Sequence, residues 1–312
     1  MVQIQNLTKS FSGFTALNDL NLNIKKGSIY GLVGVNGAGK TTAIKHLAGI
    51  YQQDTGSVTI QDMPVYNNVQ IKQKVGFIPD DLYFFPNYNI RSLQKFYARM
   101  YKNTWNPQRY QLLLDMFQLD PKRKISRFSK GMQKQAAFIF AMSIMPEFLL
   151  LDEPIDGLDP IVRRRIMQEV ITDVADREMT VLVSSHNLKE MDGICDAIGI
   201  IKNGRMVVER DLDDLKSDVH KIQVAFPSSF LQDHLMQDNL VQANLSAALS
   251  LQILHAESRG SIQMLVIRGK EEEVIEKIKA TNPLIFDRLP LTLEEIFVYE
   301  TEGADHDVHI PY

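Results

Sequence analysis

Residues 34–42, Gly-Val-Asn-Gly-Ala-Gly-Lys-Thr-Thr, decide the fold of this 312-residue chain. With Gly34 as the first glycine and Gly39 as the second, they fill the pattern G-x-x-x-x-G-K-[ST]. The short apolar stretch at 28–33 predicts a buried strand before the loop, and residues 43–48 have helical composition after it. A glycine-rich turn without a ligand is the alternative. The full motif in its strand–loop–helix context favours a phosphate-binding loop instead.

The residue types of this loop suit a polyphosphate. Glycines let the backbone approach closely, so that successive N–H groups point inward. The helix that begins near Lys40 directs the positive end of its dipole at the same place. Lys40 would neutralise the β- and γ-phosphates, and the Thr41 hydroxyl would ligate Mg²⁺. The loop therefore predicts a nucleoside triphosphate site.

Composition narrows the class of protein. Apolar residues make up 45% and charged residues 23% of the chain, as in ordinary globular proteins. The net charge of −4 gives no sign of a nucleic-acid partner. A single cysteine, Cys195, excludes an internal disulfide and fits a reducing compartment. No stretch reaches the roughly 18 apolar residues of a membrane span, and the N-terminus lacks signal-peptide features. We expect a soluble chain that works at a membrane only through a partner chain.

Two further apolar strands are predicted to end in polar side chains. The run 148–151 is followed by Asp152 and Glu153, and the β-branched run 180–185 is followed by His186. Parallel sheets bind ligands at the carboxyl ends of their strands. A lone histidine after a strand is often structural, but beside a phosphate loop we favour a catalytic role for His186.

Two aromatic features remain open at the level of sequence. Phe11 is either one more core aromatic or a ring that stacks on a purine. The segment 82–88, Leu-Tyr-Phe-Phe-Pro-Asn-Tyr, is either a sub-core packed beneath the helix predicted at 90–101 or a hydrophobic docking site for another protein.

Together these pieces resemble the ATP-binding subunit of an ABC transporter over residues 1 to about 216. The family's motifs appear in order, and they comprise the phosphate loop at 34–42, the signature L-S-G-G-Q as Phe128-Ser129-Lys130-Gly131-Met132, the Walker B strand 148–152 with Glu153, the D-loop 157–159 and the switch histidine His186. The resemblance implies an α/β P-loop NTPase fold with a RecA-like core, an antiparallel β subdomain and a helical subdomain.

The same resemblance implies a role for each matching residue. Glu153 would be the general base, His186 would contact the γ-phosphate, and Lys40 would complete the catalytic set. Metal binding would fall to Thr41, Asp152 and Asp80. The implied ATP-binding residues are Phe11, Gly34, Val35, Asn36, Gly37, Ala38, Gly39, Lys40, Thr41, Thr42, Ser129 and Gly131. Ser129 and Gly131 would cover the γ-phosphate held by a second, head-to-tail cassette, and Asp159 marks the D-loop.

Two positions depart from the family's pattern. Asp80 and Asp81 stand where the Q-loop usually has Gln, and an ionised carboxylate accepts hydrogen bonds without donating any. Asp80 could still reach Mg²⁺ directly or through water. The signature has Phe128, Lys130 and Met132 in place of Leu, Gly and Gln, while its phosphate-facing pair is kept.

The function implied is an Mg²⁺-dependent ATPase subunit that pairs with a second cassette, identical or different, at the cytoplasmic face of the cell membrane. It would drive export by a polytopic membrane permease. The Lys-Gly-Met form of the signature is similar to the bacterial type-two exporter subfamily. The alternative is a soluble regulatory or sensing ABC ATPase that uses its C-terminal domain without transport.

Residues 217–312 lie outside this resemblance. Strands at 219–226, 249–256, 262–267 and 284–288, with helices at 229–238 and 271–280, predict the order βαββαβ. That order is typical of a small ferredoxin-like α+β domain. We expect a dimerisation or packing module, with a regulatory ligand site as the alternative.

Overall fold

The computed structural model describes residues 1–227, 230 and 241–296. The chain divides into two compact units, Met1–Glu209 and Arg210–Tyr312. From the sequence, the boundary was expected between residues 216 and 217. The structural boundary comes earlier because helix α7 (Leu212–Asp218) packs on strand β11 (Val219–Ala225), which belongs to the second unit.

The first unit is a mixed α/β structure. Its strands are β1 (Val2–Phe11), β2 (Phe14–Ile24), β3 (Ile29–Val33), β4 (Thr55–Ile60), β5 (Met63–Pro64), β6 (Val75–Ile78), β7 (Phe148–Asp152), β8 (Thr180–Ser185), β9 (Ala197–Lys202) and β10 (Arg205–Asp211), the last ending just past the boundary. Its α-helices are α1 (Lys40–Leu47), α2 (Val69–Lys72), α3 (Ile90–Met100), α4 (Pro107–Phe117), α5 (Lys130–Ser143) and α6 (Pro160–Arg177).

A six-stranded sheet in the order β10-β9-β3-β8-β7-β6 forms the centre of this unit. The pairs β3–β8, β3–β9, β7–β8 and β6–β7 are parallel. Every residue of β3, β7 and β8 is buried, as expected for apolar strands covered on both faces. The carboxyl ends of these three strands carry Gly34, Glu153 and His186, so the sheet brings the predicted motifs to one edge.

The N-terminal strands form the antiparallel β subdomain that the resemblance implies. Its order is β2-β1-β4-β5, with Val2 opposite Ile24 in one pair and opposite Ile60 in the next. Side chains of this sheet share one buried core with helix α1 and with the parallel sheet. The helix that follows the phosphate loop is therefore fixed from two sides.

The segment between β6 and β7 is helical and forms the third part of the predicted architecture. Helices α3 and α4 both pack against α5. Each begins at an asparagine whose side chain accepts a hydrogen bond from a backbone N–H of the first turn, and Ser129 does the same for α5.

The second unit contains β11, helix α8 (Val241–Leu249), β12 (Gln252–Arg259), β13 (Ile262–Arg268), α9 (Glu271–Lys279) and β14 (Ile285–Leu289). Its sheet order β12-β13-β11-β14 is antiparallel throughout, as the ferredoxin-like prediction requires. The helix predicted at 229–238 lies outside the described residues apart from Phe230. Helix α8 was not predicted, and the strand predicted from residue 249 begins at Gln252. Among the described helices, none combines the length and the hydrophobicity needed to cross a bilayer.

Cys195 provides a direct test of packing near the central sheet. Its Sγ donates to Met191 Sδ at 3.6 Å, and burial raises the pKa of the thiol to about 12. Because the thiolate is the reactive form, labelling by a disulfide reagent at pH 8 should be roughly a thousand-fold slower in the native protein than in the unfolded chain. Rates in buffer and in denaturant are to be compared. Equal rates would contradict this burial.

Candidate phosphate-binding and catalytic site

The phosphate loop is tied to its surroundings at both ends. The N–H of Gly34 donates to Ser185 O at 3.3 Å, and Ala38 O accepts from the N–H of Gly204 at 2.9 Å. A Cβ on Gly34 would lie 2.4 Å from Ile201 O, so a larger residue would push the loop off the sheet. Gly39, the residue before α1, has a φ of 113°, a left-handed conformation that favours glycine. These contacts explain the glycines at both ends of the motif.

Lys40, the first residue of α1, is buried with its ammonium group at the centre of the site. Its Nζ donates to Gly34 O at 2.6 Å and to Val35 O at 3.3 Å. The same Nζ lies 3.2 Å from Glu153 Oε1 in an ion pair. Thr41 follows on the exposed side of the first turn of α1, and Thr42 is half-buried. The predicted cation therefore sits between the loop and the predicted base.

The acidic pair at the end of β7 has two different environments. Asp152 is fully buried, and its Oδ1 accepts from Ser184 Oγ at 2.7 Å, while its buried Oδ2 has no hydrogen-bond partner among the described residues. Glu153 is also buried, and its N–H donates to the same Ser184 Oγ at 3.0 Å. Its backbone has a φ of 47°, which is left-handed and rare for a residue other than glycine.

His186 follows β8 and meets Glu153 directly. Its Nδ1 lies 3.0 Å from Glu153 Oε2, and about half of the imidazole is exposed. The preceding residue, Ser185, donates its Oγ to Glu190 Oε2 at 2.5 Å, and Arg163 of α6 forms an ion pair with the other oxygen of Glu190 at 2.7 Å. These bonds hold the segment around His186 against the helix that follows the D-loop.

Phe11 lies at the end of β1 and is 38% exposed. Its ring meets Tyr51 edge-on at 5.2 Å, and Tyr51 in turn meets His46 of α1 at 5.8 Å. Burial lowers the pKa of His46, so this ring is neutral near pH 7. An exposed ring braced from α1 suits the predicted role in base stacking better than the core alternative.

The signature and the D-loop lie on other elements. Ser129 caps α5 and accepts from the N–H of Met132, and the nearest atom to a Cβ built on Gly131 is Leu158 Cδ2, at 3.5 Å. Asp159 caps α6 and accepts from the N–H groups of Ile161 and Val162. The structure therefore brings the signature close to the D-loop, while the capping bonds of Ser129 and Asp159 stay within their own helices.

Lys134 of α5 is a residue of the site that sequence reasoning did not identify. Its Nζ donates to Glu153 O at 2.8 Å and Asp156 O at 3.0 Å, and it lies 3.4 Å from Asp80 Oδ1. Ser184, which joins the two acidic residues, was also missed, as was Tyr51. Ser184 could have been identified as a polar residue at a strand exit. Nothing in the local sequence around Lys134 points to its partners, because those contacts depend on how α5 packs.

A metal ion at this site would be held by only a few protein side chains. Across the described part of the chain, no group of three or more His, Cys, Asp or Glu side chains could hold an ion. A metal that also takes phosphate oxygens needs only one or two protein ligands. The unpartnered Oδ2 of Asp152 fits such an ion, directly or through water, and Thr41 lies in the first turn of α1, directly after Lys40. Asp80 faces the ammonium of Lys134.

Residues 82–84 line part of a groove at the surface of the first unit. We call this groove the aromatic groove, and its volume is about 400 Å³. Its aromatic lining residues are Phe77, Tyr83, Phe84, Tyr97 and Tyr101. Tyr83 is 82% exposed and Phe85 is 44% exposed, although the ring of Phe85 contacts those of Tyr88 at 4.7 Å and Phe96 at 5.9 Å. None of residues 82–88 is buried, so the segment does not form a sub-core, and the docking alternative stays a prediction.

Comparisons with known proteins agree with this geometry. The family model of the ABC transporter matches residues 17–156. The ABC transporter ATP-binding protein YtrB of Bacillus subtilis (strain 168) is 28% identical over 97% of this chain and 99% of its own length, so it spans both units. The lantibiotic transport ATP-binding protein SrtF of Streptococcus pyogenes is 34% identical over 68% of this chain and 92% of its own.

A solved structure, the ATP-binding subunit of an ABC transporter, superposes with a TM-score of 0.64 at 25% identity, covering 69% of this chain and 92% of that one. The comparisons favour a transporter subunit over the regulatory ATPase that the sequence left open. Because SrtF is matched over nearly its whole length at this identity, the chain belongs to the ABC transporter family as an ATP-binding subunit and is an ATPase.

Proposed function

We propose that this chain hydrolyses ATP with Mg²⁺ at the interface with a second cassette and thereby drives export through a membrane permease. The observation that carries the chemistry is the contact of Glu153 with Lys40 on one carboxylate oxygen and with His186 on the other. Glutamate at the end of a buried strand, next to a phosphate loop, is placed to accept a proton from water as that water attacks phosphorus in line. Substitution of Glu153, argued in the Discussion, tests this proposal.

The other residues of the site supply charge and orientation. Lys40 would place its ammonium group on the phosphate oxygens that gain negative charge as the bond to the leaving ADP breaks. His186 would hold the Glu153 carboxylate at one oxygen and contact the γ-phosphate. When bound, Mg²⁺ supplies positive charge to the β- and γ-phosphates, and Thr41 and Asp152 are the residues that would hold it.

The proposal includes a second cassette because Ser129 and Gly131 make their contacts on α5 and the D-loop, and none of these contacts is with the phosphate loop of the same chain. Ser129 caps α5, and the atom nearest to a Cβ on Gly131 belongs to the D-loop. Ser129 is exposed at the N-terminus of α5, a position where backbone N–H groups and the helix dipole attract a phosphate. ATP-binding subunits of this family pair as cassettes and act with membrane permeases. Head-to-tail pairing, with a second copy or a related chain, would place Ser129 and Gly131 over the γ-phosphate of the partner.

Export is the direction that the relatives support. SrtF is named for lantibiotic transport, and the Lys130-Gly131-Met132 form of the signature is similar to that of bacterial type-two exporters. A chain of this kind would lie at the cytoplasmic face of the cell membrane through its permease. The aromatic groove would be the contact surface, because it offers a cleft rich in aromatic side chains with an exposed tyrosine at its edge.

The groove predicts a variant that separates assembly from ATP binding. Tyr83→Asp combined with Phe84→Asp should remove the permease from the purified assembly, because two carboxylates in an apolar contact would each be desolvated without a partner. ATP affinity of the isolated chain should stay unchanged. Co-purification from detergent-solubilised membranes measures the first effect, and a nucleotide titration measures the second.

Phe14→Asp provides the matched control, since Phe14 is 66% exposed on the β1–β2 hairpin and does not line the groove. It should leave assembly intact. A doubly substituted chain that still co-purifies with the permease would remove the groove from the proposal while leaving the ATPase chemistry untouched.

A further inference from the structure

We propose that Lys134 is a positioning residue for Glu153. Lys134 lies on α5, which we call the signature helix, and its ammonium group binds the main-chain carbonyl oxygen of Glu153. The inference rests on the proposed role of Glu153 as base and adds a residue that the motifs of the family do not include. Within the described part of the chain, Lys134 bonds two backbone carbonyl oxygens and the Asp80 carboxylate. Its effect on the base would therefore pass through the backbone of residues 153–156.

The ammonium group of Lys134 uses its full donor capacity on one turn of chain and on Asp80. A lysine has three N–H donors, and here they meet Glu153 O, Asp156 O and Asp80 Oδ1 at 2.8, 3.0 and 3.4 Å. The side chain is only 11% exposed. Hydrogen bonds from a charged donor are stronger than neutral ones, so these contacts constrain the turn.

The turn needs such constraint because of its conformation. At Glu153 the backbone is left-handed, with a φ of 47°, and a residue other than glycine adopts this only when its surroundings enforce it. Both peptide groups of Glu153 are held by side chains from other elements. Ser184 of β8 accepts its N–H, and Lys134 of α5 donates to its carbonyl oxygen.

Lys134 also links two parts of the site that lie on different elements. It sits on the same helix as Gly131, and Ser129 caps that helix, which is continuous from Lys130 to Ser143. A phosphate seated on Ser129 would therefore fix the helix whose ammonium group holds Glu153. The position of Glu153 would therefore depend on where the signature helix lies against it.

The experiment compares Lys134→Met with Lys134→Arg in the full chain, and uses Lys95→Met as the control. Methionine keeps the apolar stem and removes the donors, whereas arginine keeps charge and donors. Lys95 is an exposed lysine of α3, so its loss should change nothing. Amide hydrogen exchange of the peptide 152–159 is measured without nucleotide, and kcat and KM for ATP are measured with Mg²⁺.

Lys134→Met should speed exchange at Asp156 and Leu158 by about tenfold, because their turn loses its anchor. It should lower kcat by roughly 10- to 100-fold at a KM within about twofold of the parent, because a displaced base weakens the chemical step more than binding. Lys134→Arg should recover part of the rate. A turn that only supports the fold would not separate kcat from KM in this way.

Three results would overturn the proposal. Unchanged exchange at 152–159 removes the anchoring itself, and this readout does not depend on any ATPase activity. Faster exchange with an unchanged kcat shows that the turn does not position the base. A parallel loss of kcat and ATP affinity shows a general structural role. If the parent chain hydrolyses no ATP, the proposed function fails, while the exchange measurement still decides whether Lys134 holds the turn.

Discussion

Glu153→Gln should keep ATP affinity and lower the hydrolysis rate by about 10³-fold, within the range of 10²- to 10⁴-fold attributed to a general base. The amide has nearly the shape of the carboxylate but cannot take a proton from the attacking water. Nucleotide binding depends on the loop and on Lys40, which this change leaves in place. The protein with ATP should therefore accumulate as a closed pair of cassettes, measured by size-exclusion chromatography in parallel with the rate of phosphate release.

The contacts of Glu153 explain why one residue carries so large an effect. Its two carboxylate oxygens face Lys40 and His186, and burial excludes bulk water that could replace the lost base. The same burial lowers the local dielectric, so the charge on Glu153 acts more strongly on whatever enters the site. A glutamine in this place keeps an acceptor for Lys40 while losing the charge.

Glu147→Gln is the control for that variant. Glu147 directly precedes the same strand, β7, at the opposite end, where its side chain pairs with Lys74 at 3.1 Å. The chemical change is identical, so any loss of rate that comes from general destabilisation should appear there too. Parent-like hydrolysis by the Glu153 variant would assign the base elsewhere, and equal losses in both variants would show an effect on folding.

The motifs of the parallel sheet could be predicted because each is local in sequence. An apolar run followed by a polar residue predicts a strand and its exit, and parallel strands place their exits at one edge. Glu153 and His186 can be identified in this way without knowledge of any contact, and Lys40 can be identified from the phosphate-loop pattern. The loop glycines were equally predictable, since their φ values and close approaches follow from the turn that the pattern requires.

What could not be predicted depends on packing between distant segments. Lys134 lies 19 residues before Glu153, and the bond between them depends on where α5 lies against the sheet. Ser184 bridges Asp152 and the N–H of Glu153 only because β7 and β8 pair in one register, with Asp152 opposite Ser184. The left-handed backbone at Glu153 has no signature in its sequence, as glutamate seldom adopts it.

Helix α8 in the second unit shows the limit of pattern-based prediction in another way. Its sequence Val-Gln-Ala-Asn-Leu-Ser-Ala-Ala-Leu favours a helix through alanine and leucine, yet the apolar residues near its end also suit a strand. Periodicity alone does not separate the two over so short a run. The sheet order of that unit, in contrast, follows from the order of elements and was predictable.

Lys40→Met should lower ATP affinity by on the order of 100-fold, equivalent to about 2.8 kcal/mol at 1.4 kcal/mol per tenfold. The methionine side chain retains the apolar stem but carries no charge, so the phosphates lose a charged hydrogen bond, which is worth about 1.5–3 kcal/mol. The substitution also removes the cation that lies 3.2 Å from Glu153, leaving a buried carboxylate that repels the incoming polyphosphate. Both effects weaken binding, in contrast to Glu153→Gln, which weakens the chemical step. Isothermal titration with ATP and Mg²⁺ measures the affinity.

Lys26→Met makes the comparison specific to the site. Lys26 lies in the exposed turn before β3, where it pairs with Glu178, so the same change of side chain occurs close in sequence to the loop but away from it. Its ATP affinity should equal that of the parent, with circular dichroism confirming that both variants fold. An unchanged affinity in Lys40→Met would mean that the backbone N–H groups and the dipole of α1 hold the phosphates without the ammonium group. In that case Lys40 would act on Glu153 alone, and its loss would appear in kcat instead.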